Sequence, residues 1–176
     1  MLNLTCGVRM YIFFFVFRES YNLLDNTTPL GCADCGELCK SLCCTAETGE
    51  GMELFPGERE LFEKAGGFEI IHGEIPILKC GGFCDRKERP LACRIYPLFP
   101  LVVKDGEEER IRVIYDPRST ATCPLFKGRA RLDRRFTRAV RRAGRYLLAD
   151  PETADYLRKT SEYLLELIEL EARLSM

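Results

Sequence analysis

Apolar and polar positions change their rhythm twice along this 176-residue chain. Near the start, Tyr11-Ile-Phe-Phe-Phe-Val-Phe17 is one unbroken apolar run between Arg9 and Arg18-Glu19. It reads as a buried strand or short helix, or as sequence upstream of a start at Met10. Crossing a bilayer takes about 20 apolar residues, so the run is too short to span one. The middle of the chain predicts short elements broken by glycine and proline. These are a strand within Gly49–Gly57, a helix over Glu58–Ala65 stopped by Gly66-Gly67, and brief strands at Phe68–Ile71 and Ile75–Leu78. Leu98–Lys104 and Arg110–Tyr115 are rich in β-branched and aromatic residues. With Asp105-Gly106 between them they predict an antiparallel pair.

From Ala130 onward the period becomes helical. Leu132, Phe136, Val140, Ala143 and Leu147 form one stripe. Asp150-Pro151-Glu152 then supplies an N-cap, a proline at the first helical position and an early acid. A second helix follows to about Leu174, with Leu157, Leu164, Leu167 and Ile168 available for packing. The pattern predicts one α+β domain over residues 1–176. It combines an irregular cysteine-rich region at 32–124, a short β-hairpin and a C-terminal antiparallel helical hairpin at 130–174.

Composition fits a globular chain, 46% hydrophobic and 30% charged, and its net charge of −1 offers no bulk attraction to nucleic acid or membrane. Cysteine changes the picture. Of 10 cysteines, five fall between Cys32 and Cys44 and three between Cys80 and Cys93, with Cys6 and Cys123 apart. Secreted disulfide scaffolds are usually shorter and denser in cysteine. Cys43 and Cys44 are neighbours, which a strained bridge alone would join. The apolar run is followed by Arg-Glu-Ser-Tyr rather than a small-residue cleavage site. A reducing cytoplasm is the expected compartment.

Cys35, Cys39 and Cys43 are spaced by four, so on a helix each step drifts by only about 40° and the sulfurs share a face. A closed zinc site takes four ligands, and an iron–sulfur cube takes four thiolates. One helical turn satisfies neither, so ligands from both blocks must converge. The expected metal ligands are Cys35, Cys39, Cys43, Cys44, Cys80, Cys84, Cys93 and Cys123. They suit zinc or iron, the latter also as an iron–sulfur cluster. Cys6 reads as a small buried hydrophobe, and Cys32 fits either role.

Asp34-Cys-Gly-Glu-Leu-Cys-Lys-Ser-Leu-Cys-Cys44 and Cys84-Asp-Arg-Lys-Glu-Arg-Pro-Leu-Ala-Cys-Arg-Ile-Tyr-Pro97 together resemble the YkgJ-type zinc- or iron-chelating cysteine-cluster proteins. The match spans about residues 32–124. It is strongest at Arg89, Pro90, Cys93, Arg94, Tyr96 and Pro97, whereas the first block is more widely spaced than the family pattern. The resemblance implies metal chelation by these cysteines and no particular reaction. Flagellin lysine methylases share a similar cysteine pattern, but this chain carries no glycine-rich strand–turn–helix fingerprint for a nucleotide-like cofactor.

Three further features carry weaker chemistry. Arg89 and Arg94 flank the second block, where they would either lower thiol pKa values or pair with carbonyls and carboxylates. His72, the single histidine, reads as a surface or strand residue, and no nucleophile motif surrounds it. The first C-terminal helix gathers Arg131, Arg134, Arg135, Arg138, Arg141, Arg142 and Arg145 on one side. A zinc-stabilised nucleic-acid-binding module that uses this face is an alternative reading, though nucleic acid is not the expected partner. Asp155, Glu162, Glu166 and Glu169 on the next helix are expected to complement part of this charge.

Overall fold

A computed structural model describes residues 4–31, 36, 43, 51–65, 68–79, 85–128 and 131–174. Helix α1 (Leu4–Asp25) is followed by β1 (Met52–Glu53), α2 (Arg59–Ala65), β2 (Glu69–Ile71) and β3 (Ile77–Lys79). Then come α3 (Leu91–Ile95), β4 (Leu98–Asp105), β5 (Glu108–Tyr115), α4 (Pro124–Lys127), α5 (Arg134–Leu147) and α6 (Pro151–Leu174). Mixed helix and sheet, in the α+β manner, is the architecture expected. Among the described residues, no helix is long and apolar enough to cross a membrane.

The apolar run near the start belongs to α1. Val16, Phe17, Ser20 and Leu24 recur at helical spacing and are buried, while Phe14 and Phe15 remain exposed. The run hides this period because its exposed positions are as apolar as its buried ones.

Strands β4 and β5 pair antiparallel from Leu98↔Tyr115 to Asp105↔Glu108. They close through Gly106 at φ 67°, a backbone region glycine enters without steric cost. The strands therefore run closer to the turn than their composition alone predicts. Residues 98–102 are buried throughout because helices cover this ribbon. The backbone N–H of Val102 donates to Ser161 Oγ at 2.9 Å, so α6 occupies part of the β4 edge. On α5, Gly144 lies against Pro100 and Ile111 of the ribbon. A Cβ there would come within 2.6 Å of Pro100 Cβ, so the helix approaches this closely only with glycine at that position.

The C-terminal helices depart from the expected hairpin. Asp150 caps α6 as anticipated, its Oδ2 accepting from the N–H groups of Glu152 and Thr153 at 3.1 Å. Yet α5 runs chiefly along α1 and the ribbon, while α6 lies on β4. Phe15 meets Tyr146 and Pro29 meets Asp133, so α1 and α5 are antiparallel neighbours. The apolar faces of both C-terminal helices are used against the sheet and α1, which leaves little for each other. Phe136, Val140, Leu147, Leu157 and Leu164 are buried, but Ile168 is exposed where α6 outruns the core.

A smaller sheet, ordered β1-β3-β2 and antiparallel throughout, encloses a second cluster of Leu54, Phe62 and Leu78. Glu58 joins the two clusters. Its carboxylate is fully buried and accepts from Tyr21 Oη, from Phe55 N at 2.9 Å and from Leu91 N at 2.8 Å. Burial pushes the Glu58 pKa up, against the pull of those donors and of Arg94. Replacing Glu58 with glutamine keeps its volume but turns an NH2 group toward another donor, and this should cost about 1–3 kcal/mol. Alanine strands three donors and should cost about 3–5 kcal/mol. Urea midpoints of the two variants check the prediction, and loss of the ranking Ala worse than Gln would contradict this account of the carboxylate.

Candidate metal centre

Pro90 cannot donate from its nitrogen and sits ahead of Leu91 in extended conformation, a natural start for α3. Within the region expected to be irregular, Arg86–Glu88 form a 3-10 turn and Leu91–Ile95 a short helix. Helix α3 carries Cys93 and Arg94 and ends at the cis Tyr96–Pro97 bond.

Arg94 is almost completely buried, and its role is positional. Its guanidinium lies 4.2 Å from the centre of the Tyr21 ring and pairs with Asp25. It also donates to the carbonyls of Arg89 at 2.7 Å and Lys87 at 2.5 Å. Of the two roles open to Arg94, pairing with carbonyls and a carboxylate is the one the structure adopts. Arg86 works beside it, donating to the carbonyls of Leu24 and Thr27 at the end of α1 and to that of Arg94. Two arginines of the second block therefore hold the α1 terminus, from which the chain runs directly into the first block.

Of the expected ligands, Cys43, Cys93 and Cys123 fall within the described residues, and none is in a disulfide. Cys35, Cys39, Cys44, Cys80 and Cys84 lie outside them, as does Cys32. Cys123 is buried at the start of α4, its N–H donating to Ser119 O at 2.8 Å. Cys43 and Cys93 are half-buried. Among the described residues, no three His, Cys, Asp or Glu side chains gather closely enough to hold a metal ion. His72 is exposed beside β2.

Tyr96 links the chain after Cys93 to the chain before Cys123. Its hydroxyl shares a 2.6 Å hydrogen bond with Thr122 Oγ1, the neighbour of Cys123. Burial pushes the Tyr96 hydroxyl well above its ordinary pKa, and the nearby Cys123, Cys43 and Asp116 push it further. Tyr21 is raised by burial and Glu58, with Cys93 adding to the effect.

Cys43, Tyr96 and Thr122 border one cavity of about 340 Å³, whose far wall carries Glu53, Asp116, Arg118 and Tyr156. Arg118 Nη2 donates to Asp116 Oδ2 at 2.7 Å and Nη1 to Glu53 Oε2 at 2.9 Å. Tyr156 Oη donates to the same Glu53 oxygen at 2.7 Å. Burial works to lower the Arg118 pKa, and the two carboxylates overcome it and hold the guanidinium charged. Two carboxylates against one guanidinium leave the wall with one net negative charge, so the cavity favours cations over anions.

Sequence reasoning did not find this wall. Asp116-Pro117-Arg118 carries a local signal, a capping acid before a proline, and does form a capped 3-10 turn. The partners Glu53 and Tyr156 stand 65 and 103 residues from their contacts, beyond any local pattern.

Compared with protein-family models, with curated proteins and with solved structures, the chain has no match. The burial order of the thiols can be checked directly. In native protein with chelator present, mass-resolved alkylation should label Cys43 and Cys93 before Cys123. Cys123 should react only on unfolding, and equal labelling of Cys123 and Cys43 would contradict the packing of residues 117–123.

Proposed function

We propose that this chain is a cysteine-cluster protein that binds zinc or iron through thiolates from both cysteine blocks and Cys123. One observation carries the reading. Cys43 of the first block borders the same cavity as Ala92 and Tyr96 of the second and as Thr122 beside Cys123. The donor chemistry agrees with it, because soft thiolates select zinc and iron–sulfur clusters over hard cations. The net negative cavity wall favours entry of a cation. Cys43, Cys93 and Cys123, with Cys35, Cys39, Cys44, Cys80 and Cys84, would hold the metal. A bound zinc ion supplies a structural staple, and an iron–sulfur cluster supplies an electron site. The protein's own part is to bring two distant blocks together, through Arg86 and Arg94 at the end of α1 and through the Tyr96–Thr122 bond.

Elemental analysis of protein made without affinity-tag histidines and purified anaerobically tests the reading. Colourless protein with stoichiometric zinc supports a zinc centre, and brown protein that bleaches with dithionite supports the iron–sulfur form. Replacing Cys39, Cys44, Cys84 or Cys93 with serine should remove metal and lower soluble yield together, because losing a ligand at such sites also loses folding energy. Cys6→Ser should leave both unchanged. Full metal content in the four ligand variants would overturn the proposal.

A further inference from the structure

We propose that the exposed arginine face of α5, with the aromatic residues beside it, docks the backbone of single-stranded nucleic acid. This inference is independent of the thiolate reading. At about 100° per residue, Arg134, Arg135, Arg138, Arg141, Arg142 and Arg145 fall within an arc of about 120°, and all six are exposed. Arg131 is exposed just ahead of the helix. The opposite arc, Phe136, Ala139, Val140, Ala143 and Leu147, is committed to the core. The arginines run for about 16 Å along the helix at about 1.5 Å per residue, enough to face on the order of four phosphates of one strand.

Two of the four acids expected to complement this face pair within their own helix instead. Asp155 pairs with Lys159 at 2.9 Å and Glu169 with Arg173 at 3.6 Å, both within α6. Among the described residues, the ion pairing of the arginine face is limited to Arg135 with Asp133 at 3.4 Å. Helix α6 lies on β4 while α5 runs along α1, which accounts for the missing cross-helix pairs. Arginines three and four apart on a helix repel one another, so an anionic partner relieves strain that the chain leaves in place. No lysine stands on this face. Guanidinium forks grip phosphate oxygens two at a time, which an ammonium does not.

Aromatic rings border the arc. Phe14 and Phe15 are 57% and 47% exposed, Phe15 meets Tyr146 of α5 edge-on at 5.9 Å, and Arg18 lies 5.6 Å from the Phe15 ring centre. A cationic track beside exposed rings suits a strand whose phosphates follow the arginines while its unpaired bases stack. A membrane suits it less, because the apolar side of α5 is spent inside the protein and has nothing left to insert.

Fluorescence anisotropy of the full-length protein as purified, with labelled 20-nucleotide oligo(dT) and oligo(U), tests the proposal. Binding should weaken with salt at a log–log slope of about −3, as about four neutralised phosphates on a single strand require. The triple reversal R134E/R138E/R141E should lower affinity at least 100-fold at 50 mM salt and flatten the slope by about 2. The triple glutamine variant should do the same in lesser degree, and neither variant should melt below the wild type, since each relieves repulsion along the helix. F14A/F15A should weaken oligo(dT) about tenfold and leave binding to a matched duplex unchanged. Four results would each overturn the proposal: no oligonucleotide binding at 50 mM salt, equal binding by either triple variant, insensitivity to F14A/F15A, or co-sedimentation with phosphatidylserine vesicles in place of oligonucleotide binding.

Discussion

One buried carboxylate connects the parts of this molecule. Glu58 is withdrawn completely from water, and three donors from three separate stretches of chain converge on it: the Tyr21 hydroxyl, the Phe55 amide and the Leu91 amide. A carboxylate in that position is costly unless its lone pairs are filled, so the donors cannot drift independently. Helix α1, the strand-end turn before α2 and the first residue of α3 therefore keep one fixed relation. The donors belong to the main core, and the smaller cluster joins at the same residue through Phe62, whose N–H donates to the Glu58 carbonyl at 3.3 Å.

Arg94 extends the same arrangement. It lies on the Tyr21 ring, pairs with Asp25 and ties down the carbonyls of Lys87 and Arg89. The chain just before the second cysteine block's last thiol and the chain just before the first block are thereby fastened to one helix end. Buried hydrogen bonds that involve no thiol thus order residues 86–94 against the end of α1, which lowers the entropy cost of bringing these distant stretches together. The same economy appears at Tyr96, which borders Cys43 while its hydroxyl reaches the residue beside Cys123.

Charge is distributed much less evenly than the net value of −1 suggests. The cavity beside Cys43 is negative, with Arg118 held between Asp116 and Glu53. The outer side of α5 is positive, and Asp155 and Glu169 of α6 pair within their own helix. Opposite charges thus gather on separate surfaces of one small protein, and neither surface is visible in the sum.

Much of the local structure was legible from residue order alone. The period of Phe136, Val140, Ala143 and Leu147, the Asp150-Pro151 start of α6, the β4–β5 pair and the short strands around Gly73 all follow from backbone propensity and hydrophobic spacing, which act over a few residues. The thiol-rich blocks were equally legible as residue type and spacing, and the proposal of soft-metal binding rests on that pattern. Helix α1 was ambiguous because its run of aromatic residues has no polar beat to reveal its period. What only the tertiary structure decided are the long-range partners: α5 against α1 rather than against α6, Arg94 bound to Asp25 and backbone carbonyls, Glu53 meeting Arg118 and Tyr156, and Glu58 at the junction. Those choices depend on which faces compete for the same buried surface and on where a buried polar group can find its donors. Neither is set by neighbours in sequence, so neither could be read before the chain was folded.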